Sequence, residues 1–108
     1  MALSKDEAMK IAHGFLNLIR PKHFVRQAFL FGSFAKDMAK DYSDVDLAVV
    51  LESLDATKAS PFGEEFEIFH EAQEYNSLLE VVCFAKDRFD QNNGTLIRRI
   101  KKEGIRLV

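Results

Sequence analysis

The sequence predicts an α+β domain, a small mixed β-sheet with helices packed on it and an active site at one sheet edge. Three observations carry that expectation. Three apolar runs of strand length occur at residues 25–31, 45–51 and 78–84. The segments around them repeat their apolar residues at helical spacing. The resulting order is helix, strand, short helix, strand, helix, strand, helix, with no internal repeat, low-complexity tract or linker. With 108 residues, 47% of them hydrophobic and ten of them Phe, the chain is expected to form one domain over residues 1–108 with a core of its own. A second domain to close over a substrate does not fit in that length.

Ser4 and Glu7 make a capping-box pattern, so the first helix is expected to begin near Lys5. Ile11, Phe15, Leu18 and Ile19 give it an apolar face, and Pro21 stops it near Arg20. The run from Val25 to Phe31 is apolar enough for a central strand. Gly32-Ser33 breaks it, and residues 34–39 are expected to form a short helix. Asp41-Tyr42-Ser43 is turn-like, and Val45 to Leu51 is a second buried strand. Residues 52–61 read as a loop. Phe62, Phe66, Phe69 and Ala72 then mark one face of a helix reaching Tyr75, with the Phe stripe expected in the core. The third strand, residues 78–84, is followed by a helical turn over 87–93. Asn93-Gly94 signals a turn, Thr95 is a candidate cap for a last helix ending at Glu103, and Gly104 suits the position just past it. Ile105 to Val108 reads as extended.

The segment from Gly32 to Leu47 carries the chemistry. A buried strand ends at a Gly-Ser pair where a helix is expected to open. Backbone N–H groups at such a point, with a small hydroxyl, favour a phosphate, and Gly32 permits close approach because it has no Cβ. Further on come Asp44 and Asp46. On a strand, residues at i and i+2 share a face, about 6.5–7 Å apart. Two carboxylates placed so repel each other unless a cation lies between them. Hard oxygen ligands suit Mg²⁺ or Mn²⁺, held by a few carboxylates plus substrate phosphates. Two such ions about 3.5–4 Å apart can clamp the attacking and leaving oxygens of a phosphoryl displacement. Glu80 is the candidate third carboxylate. It shares a face with Val82 and Phe84 in the third strand, and a charge in an apolar strand calls for a reason.

The pattern Gly-Ser-x10-Asp-x-Asp resembles the signature of the DNA polymerase beta-like nucleotidyltransferase superfamily. The wording G-S-F-A-K…S-D-V-D-L and the ending I-K-K-E-G-I-R-L-V resemble its minimal nucleotidyltransferase branch, often the antitoxin partner of HEPN-domain toxins. The resemblance covers most of the chain. It implies the polymerase beta-like fold, an NTP such as ATP as substrate, and transfer of a nucleoside monophosphate to a hydroxyl acceptor. The implied acceptor lies on a HEPN-type protein partner, in a homo- or hetero-oligomer. Carried over by position, Gly32 and Ser33 match the phosphate-binding turn, and Asp44 and Asp46 match the metal-binding pair. Glu80 stands where the family commonly has Asp. Lys36-Asp37 stands where it often has Arg-Gly: Lys36 keeps a cation for the leaving pyrophosphate, and Asp37 adds a negative charge beside the expected triphosphate. Two alternatives remain open, a non-catalytic antitoxin-like subunit and a nucleotidyltransferase acting on a small molecule.

The rest of the sequence narrows the function by exclusion. A formal net charge of −2 gives no strong pull toward nucleic acid or an anionic membrane. The charge is uneven, however. Residues 59–85 hold six acidic residues and no Lys or Arg, whereas residues 86–108 hold seven basic against three acidic, a layout that solvated helix faces explain. The acidic stretch from Glu64 to Glu74 and the basic one from Arg98 to Lys102 are also plausible docking surfaces for a partner. No apolar run is long enough to span a bilayer, and the first residues lack a signal-peptide layout. The single cysteine, Cys83, rules out an internal disulfide and fits a cytoplasmic location; it reads as a buried thiol. His13, His23 and His70 lack metal-ligand spacing.

Overall fold

The computed structural model describes residues 3–36, 38–39, 43–53, 63–92 and 94–108. Helix α1 spans Lys5–Ile19. Its capping box is formed: Glu7 N–H donates to the Ser4 hydroxyl and Ser4 N–H donates to the Glu7 carboxylate, each at 3.0 Å. These bonds satisfy donors that the first helical turn cannot. The buried stripe is Ala8, Ala12, Phe15, Leu16 and Ile19. It is rotated from the expected face, because the small residues Ala8 and Ala12 let the helix lie close to the sheet, while Leu18 stays largely exposed.

Strands β1 (Val25–Phe31) and β2 (Val45–Leu51) run antiparallel, with Ala28 opposite Val49 and Leu30 opposite Leu47. Helix α2 (Gly63–Tyr75) then crosses over to β3 (Leu79–Ala85), which lies parallel to β2. A parallel pair needs such a crossover, since no tight turn can join its ends. Helices α3 (Lys86–Asp90) and α4 (Thr95–Glu103) follow, and β4 (Ile105–Arg106) pairs antiparallel with β1. The sheet order is β3-β2-β1-β4, a mixed four-stranded sheet of α+β type, as the sequence predicts.

Both faces of this sheet are covered, which explains why β2 is apolar at nearly every position. On one face α1 and α2 pack on Leu30, Val45, Leu47, Val49, Leu79 and Val81. On the other, α3 and α4 supply Phe89, Ile97 and Ile100 against Phe29, Ala48 and Val50. Each fully buried side chain of this kind contributes about 1.5–3 kcal/mol.

Four local expectations are corrected. Residues 33–36 form hydrogen-bonded turns, not the start of a helix. Lys36 N–H donates to Gly32 O at 3.3 Å and Met38 N–H to Ser33 O at 2.8 Å, so each bond closes a turn of different width and no regular helical ladder propagates. One isolated turn cannot offset the cost of helix nucleation. In α2 the buried face is Ile68 and Ala72, whereas Phe66 and Phe69 are about 40% exposed; Phe62 lies outside the described residues. Thr95 is the first helical residue of α4, with Gly94 at the cap position in front of it. Gly104 ends α4 in an extended conformation that leads into β4, where a left-handed cap would turn the chain away.

Candidate active site

The site is built where three strands meet at one end of the sheet. Gly32 follows β1 with φ +76°, in the left-handed region that favours glycine. A Cβ there would also collide with Asp46 Oδ2. Two independent constraints thus fix glycine at this position, and the turn crosses the sheet end in contact with the carboxylate. Ser33 is half-buried, and its carbonyl closes the turn to Met38.

Strand register brings the acidic pair together. Phe31 stands opposite Asp46 in the antiparallel ladder, and Asp46 stands opposite Glu80 in the parallel one. Residues paired in register on adjacent strands point to the same face, so the two carboxylates are neighbours. The alternation continues through Ala48, Val50, Val82 and Phe84 into the α3–α4 layer, so the acidic row lies where that apolar layer stops. Asp44 precedes β2 and is exposed, Asp46 is half-buried and Glu80 is exposed.

This crowding has an electrostatic consequence. Asp46 is pushed up from 3.8 to about 6, first by burial, then by the negative charges of Glu80 and Asp44, and by a side-chain hydrogen bond with Glu80. Such crowding favours any positive charge between the two carboxyls, a proton at low pH or a cation above it. The all-oxygen donor set fits a hard dication: Asp46 and Glu80 would hold it from adjacent strands, with Asp44 at the strand mouth. An open pocket of about 330 Å³ lies over the pair, lined by Phe31, Asp46, Phe69, Glu80, Val82 and Leu96 among others.

Lys36 lies outside this arrangement. Its Nζ is drawn to Glu103 Oε1 of α4 at 3.7 Å, and the side chain is about half exposed. Asp37 lies outside the described residues. Cys83 is buried, and burial pushes its thiol up to about 12, so it is inert as a nucleophile.

The family model described as "Polymerase beta, Nucleotidyltransferase" matches residues 16–108. The chain belongs to the polymerase beta nucleotidyltransferase family. Among curated proteins none matches it. Solved structures share the fold of this nucleotidyltransferase at low identity. A Sulfolobus solfataricus protein named as a nucleotidyltransferase candidate superposes with a TM-score of 0.62 at 12% identity, over 94% of this chain and 80% of that one. A toxin–antitoxin structure with AMP-PNP gives 0.60 at 18% identity, over 92% and 71%. A mutant of the toxin–antitoxin MntA–HpeT gives 0.55 at 17% identity, over 98% and 73%. No helix among the nucleotidyltransferase's described residues is long and apolar enough to cross a membrane.

One grouping escaped the sequence reading. His23 packs beside Glu64, Glu67 and Glu71 of α2, at the far end of β1 from Gly32. Nothing in local spacing signals it, because the residues come from separate elements that only the fold brings together.

Proposed function

We propose that this nucleotidyltransferase moves AMP from ATP to a hydroxyl on a partner protein, a HEPN-type toxin, in a reaction that depends on Mg²⁺ or Mn²⁺. The observation that carries the reading is the in-register Asp46–Glu80 pair beside Gly32. Asp44, Asp46 and Glu80 are the residues that would hold the metal, which when bound polarises the α-phosphate and stabilises charge on the entering and leaving oxygens. Glu80, the exposed partner of half-buried Asp46, accepts the proton of the acceptor hydroxyl. Gly32 and Ser33 hold the β- and γ-phosphates at the turn, where a side chain on residue 32 would block approach. Lys36 exchanges its contact with Glu103 for the departing pyrophosphate, a movement that an exposed lysine makes at little cost.

A protein acceptor is supported by two kinds of observation. The fold is shared with two toxin–antitoxin structures, one of them with AMP-PNP. The pocket over Asp46 and Glu80 is open and bordered by the exposed apolar side chains of Phe69 and Leu96. A docked partner would cover those side chains and hold its hydroxyl in line with the α-phosphate, and positioning of that sort supplies much of the rate. The test is incubation with α-labelled ATP and Mg²⁺, with and without a HEPN-type protein encoded beside it. Label is expected on the partner. Label found on RNA or a small molecule, and never on the partner, would refute the assignment.

A further inference from the structure

We propose that His23, Glu67 and Glu71 form a second metal site, for a borderline transition-metal dication such as Zn²⁺, at the end of the sheet opposite the acidic pair. It stands independently of the nucleotidyl-transfer reading. His23 is 4% exposed, and its backbone is fixed by bonds to Ile19 O and from Val25 N. Its ring is oriented by a buried partner: Nδ1–H donates to Glu64 Oε2 at 2.5 Å. An ionised carboxylate can only accept, so Nδ1 carries the hydrogen, and in the neutral imidazole that tautomer places the lone pair on Nε2.

Nε2 has no hydrogen-bond partner among the described residues, although the atom is buried. It faces Glu71 Oε1 at 3.8 Å and Glu67 Oε1 at 4.0 Å. The three donor atoms lie within 4.8 Å of one another. Lys22 Nζ holds the other oxygen of Glu71, Oε2, at 2.6 Å, which leaves Oε1 turned toward the imidazole. Three potential ligand atoms therefore converge, and no cation from the described residues lies between them. A proton on Nε2 would draw one carboxylate in to about 2.7–2.9 Å, and both oxygens stand about 1 Å beyond that. A metal needs ligand atoms about 3.3 Å apart, given bonds of about 2.0–2.1 Å, so both glutamates reach it with a small inward movement.

The donor chemistry selects the ion. One imidazole nitrogen with two carboxylates suits Zn²⁺ and its first-row neighbours, whereas Mg²⁺ prefers oxygen alone. The carboxylate–histidine arrangement supplied by Glu64 is the outer-shell partner that ligating histidines ordinarily have. Glu67 and Glu71 are one turn apart on α2, and His23 sits in the connection between α1 and β1. A bound ion would tie that connection to α2. β1 runs seven residues from Val25, so the acidic pair is roughly 25 Å away along the strand.

The experiment uses Asp46→Asn protein, in which the other carboxylate pair is disabled, and adds Zn²⁺ or Co²⁺. Zn²⁺ is expected to raise Tm, and Co²⁺ to give visible d–d absorption. Adding Glu67→Gln or Glu71→Gln should weaken Zn²⁺ binding at least about 10-fold, and Glu64→Gln about 10- to 100-fold. His23→Gln should abolish it. Should that variant fail to fold, the substitutions at the partly exposed Glu67 and Glu71 decide the matter. No Zn²⁺ response in Asp46→Asn, or the same affinity after Glu67→Gln and Glu71→Gln, would overturn the proposal. So would an equal response to Mg²⁺, which would indicate screening of surface carboxylates without imidazole ligation.

Discussion

At one end of the sheet Asp46 and Glu80 stand side by side with like charges crowded together, and Asp46 is pushed up to about 6. At the other end Glu64, Glu67 and Glu71 surround a histidine, and Lys22 joins from the edge. Both ends gather carboxylates. The first keeps them half-open to solvent beneath a pocket, on a face where all donors are oxygen. The second buries its nitrogen and orients it with a dedicated acceptor. The contrast teaches that acidic clusters differ by what neutralises them. On the two proposals above, the all-oxygen pair under an open pocket suits a hard dication that arrives with the nucleotide, and the histidine locked from behind suits a resident ion.

The sharpest way to break this contrast is to remove the near-end charge. Asp46→Asn is expected to lower kcat/KM for nucleotidyl transfer by on the order of 10³-fold or more, since metal-assisted stabilisation of this kind is worth several kcal/mol. Mg²⁺ is expected to raise the Tm of the wild type, and the variant should lose that rise. Transfer at the wild-type rate would mean that the acidic row is structural. Glu80→Gln is expected to cost about 10²-fold in kcat while the Kd for ATP changes by a few-fold at most, because a proton acceptor acts mainly in the transition state. Glu52, Asp55 and Asp87 are the rivals: Glu52 is paired with Arg26, Asp55 lies outside the described residues, and Asp87 lies in α3, exposed, with its carboxylate accepting from Arg88 N–H. If Asp87→Asn abolishes transfer while Glu80→Gln remains active, the roles are misassigned.

Gly32→Ala tests whether the turn and the carboxylate are one unit. The left-handed conformation and the collision with Asp46 are each expected to cost about 1–3 kcal/mol of stability. Displacing the carboxylate by about 1 Å should lower transfer by roughly 10²-fold. Chemical denaturation and a rate assay measure the two separately; a loss of stability with full activity would uncouple them.

The smallest effect is on pH. Asp46 binds its proton more tightly folded than unfolded, so its contribution to stability is full below about pH 4 and is lost as pH rises through about 6. For a half-exposed group, after allowance for solvent screening, this amounts to about 1–2 kcal/mol. Metal-free wild type should therefore lose stability between pH 4 and 6 relative to Asp46→Asn, and a parallel pair of pH curves would contradict the crowding described above.

Much of the near end was legible because its information is local. Gly32, Ser33, Asp44 and Asp46 lie within one strand–turn–strand segment, and the alternation of β2 fixes which side chains share a face. The bounds of β1 and β2 follow from their apolar runs. Glu80 needed one further step, the pairing of β3 with β2. The errors arose where periodicity leaves a choice. In α2 two apolar faces compete, and Ile68 with Ala72 wins because those smaller side chains let the helix pack tightly on β3, leaving Phe66 and Phe69 outside. Residues 34–39 have helix-forming composition, yet after the left-handed Gly32 residues 33–36 form turns. The His23 group was illegible for a different reason: His23 and Glu64 are 41 residues apart, and no pattern in sequence predicts that a loop will land on a particular turn of a crossover helix.

The parallel pairing of β2 with β3 also bears on the order in which the molecule assembles. The antiparallel β1–β2 ladder closes a shorter loop, whereas Asp46 meets Glu80 only after the whole crossover through α2 has been laid down. Contacts distant in sequence incur their chain-closure entropy before they return any energy, so they tend to form late. The repulsion between the two carboxylates then enters after the rate-limiting step. Relieving it with Asp46→Asn should slow unfolding in a denaturant-jump experiment and leave the refolding rate nearly unchanged. A matching acceleration of refolding would mean that the crossover is already in place at the barrier.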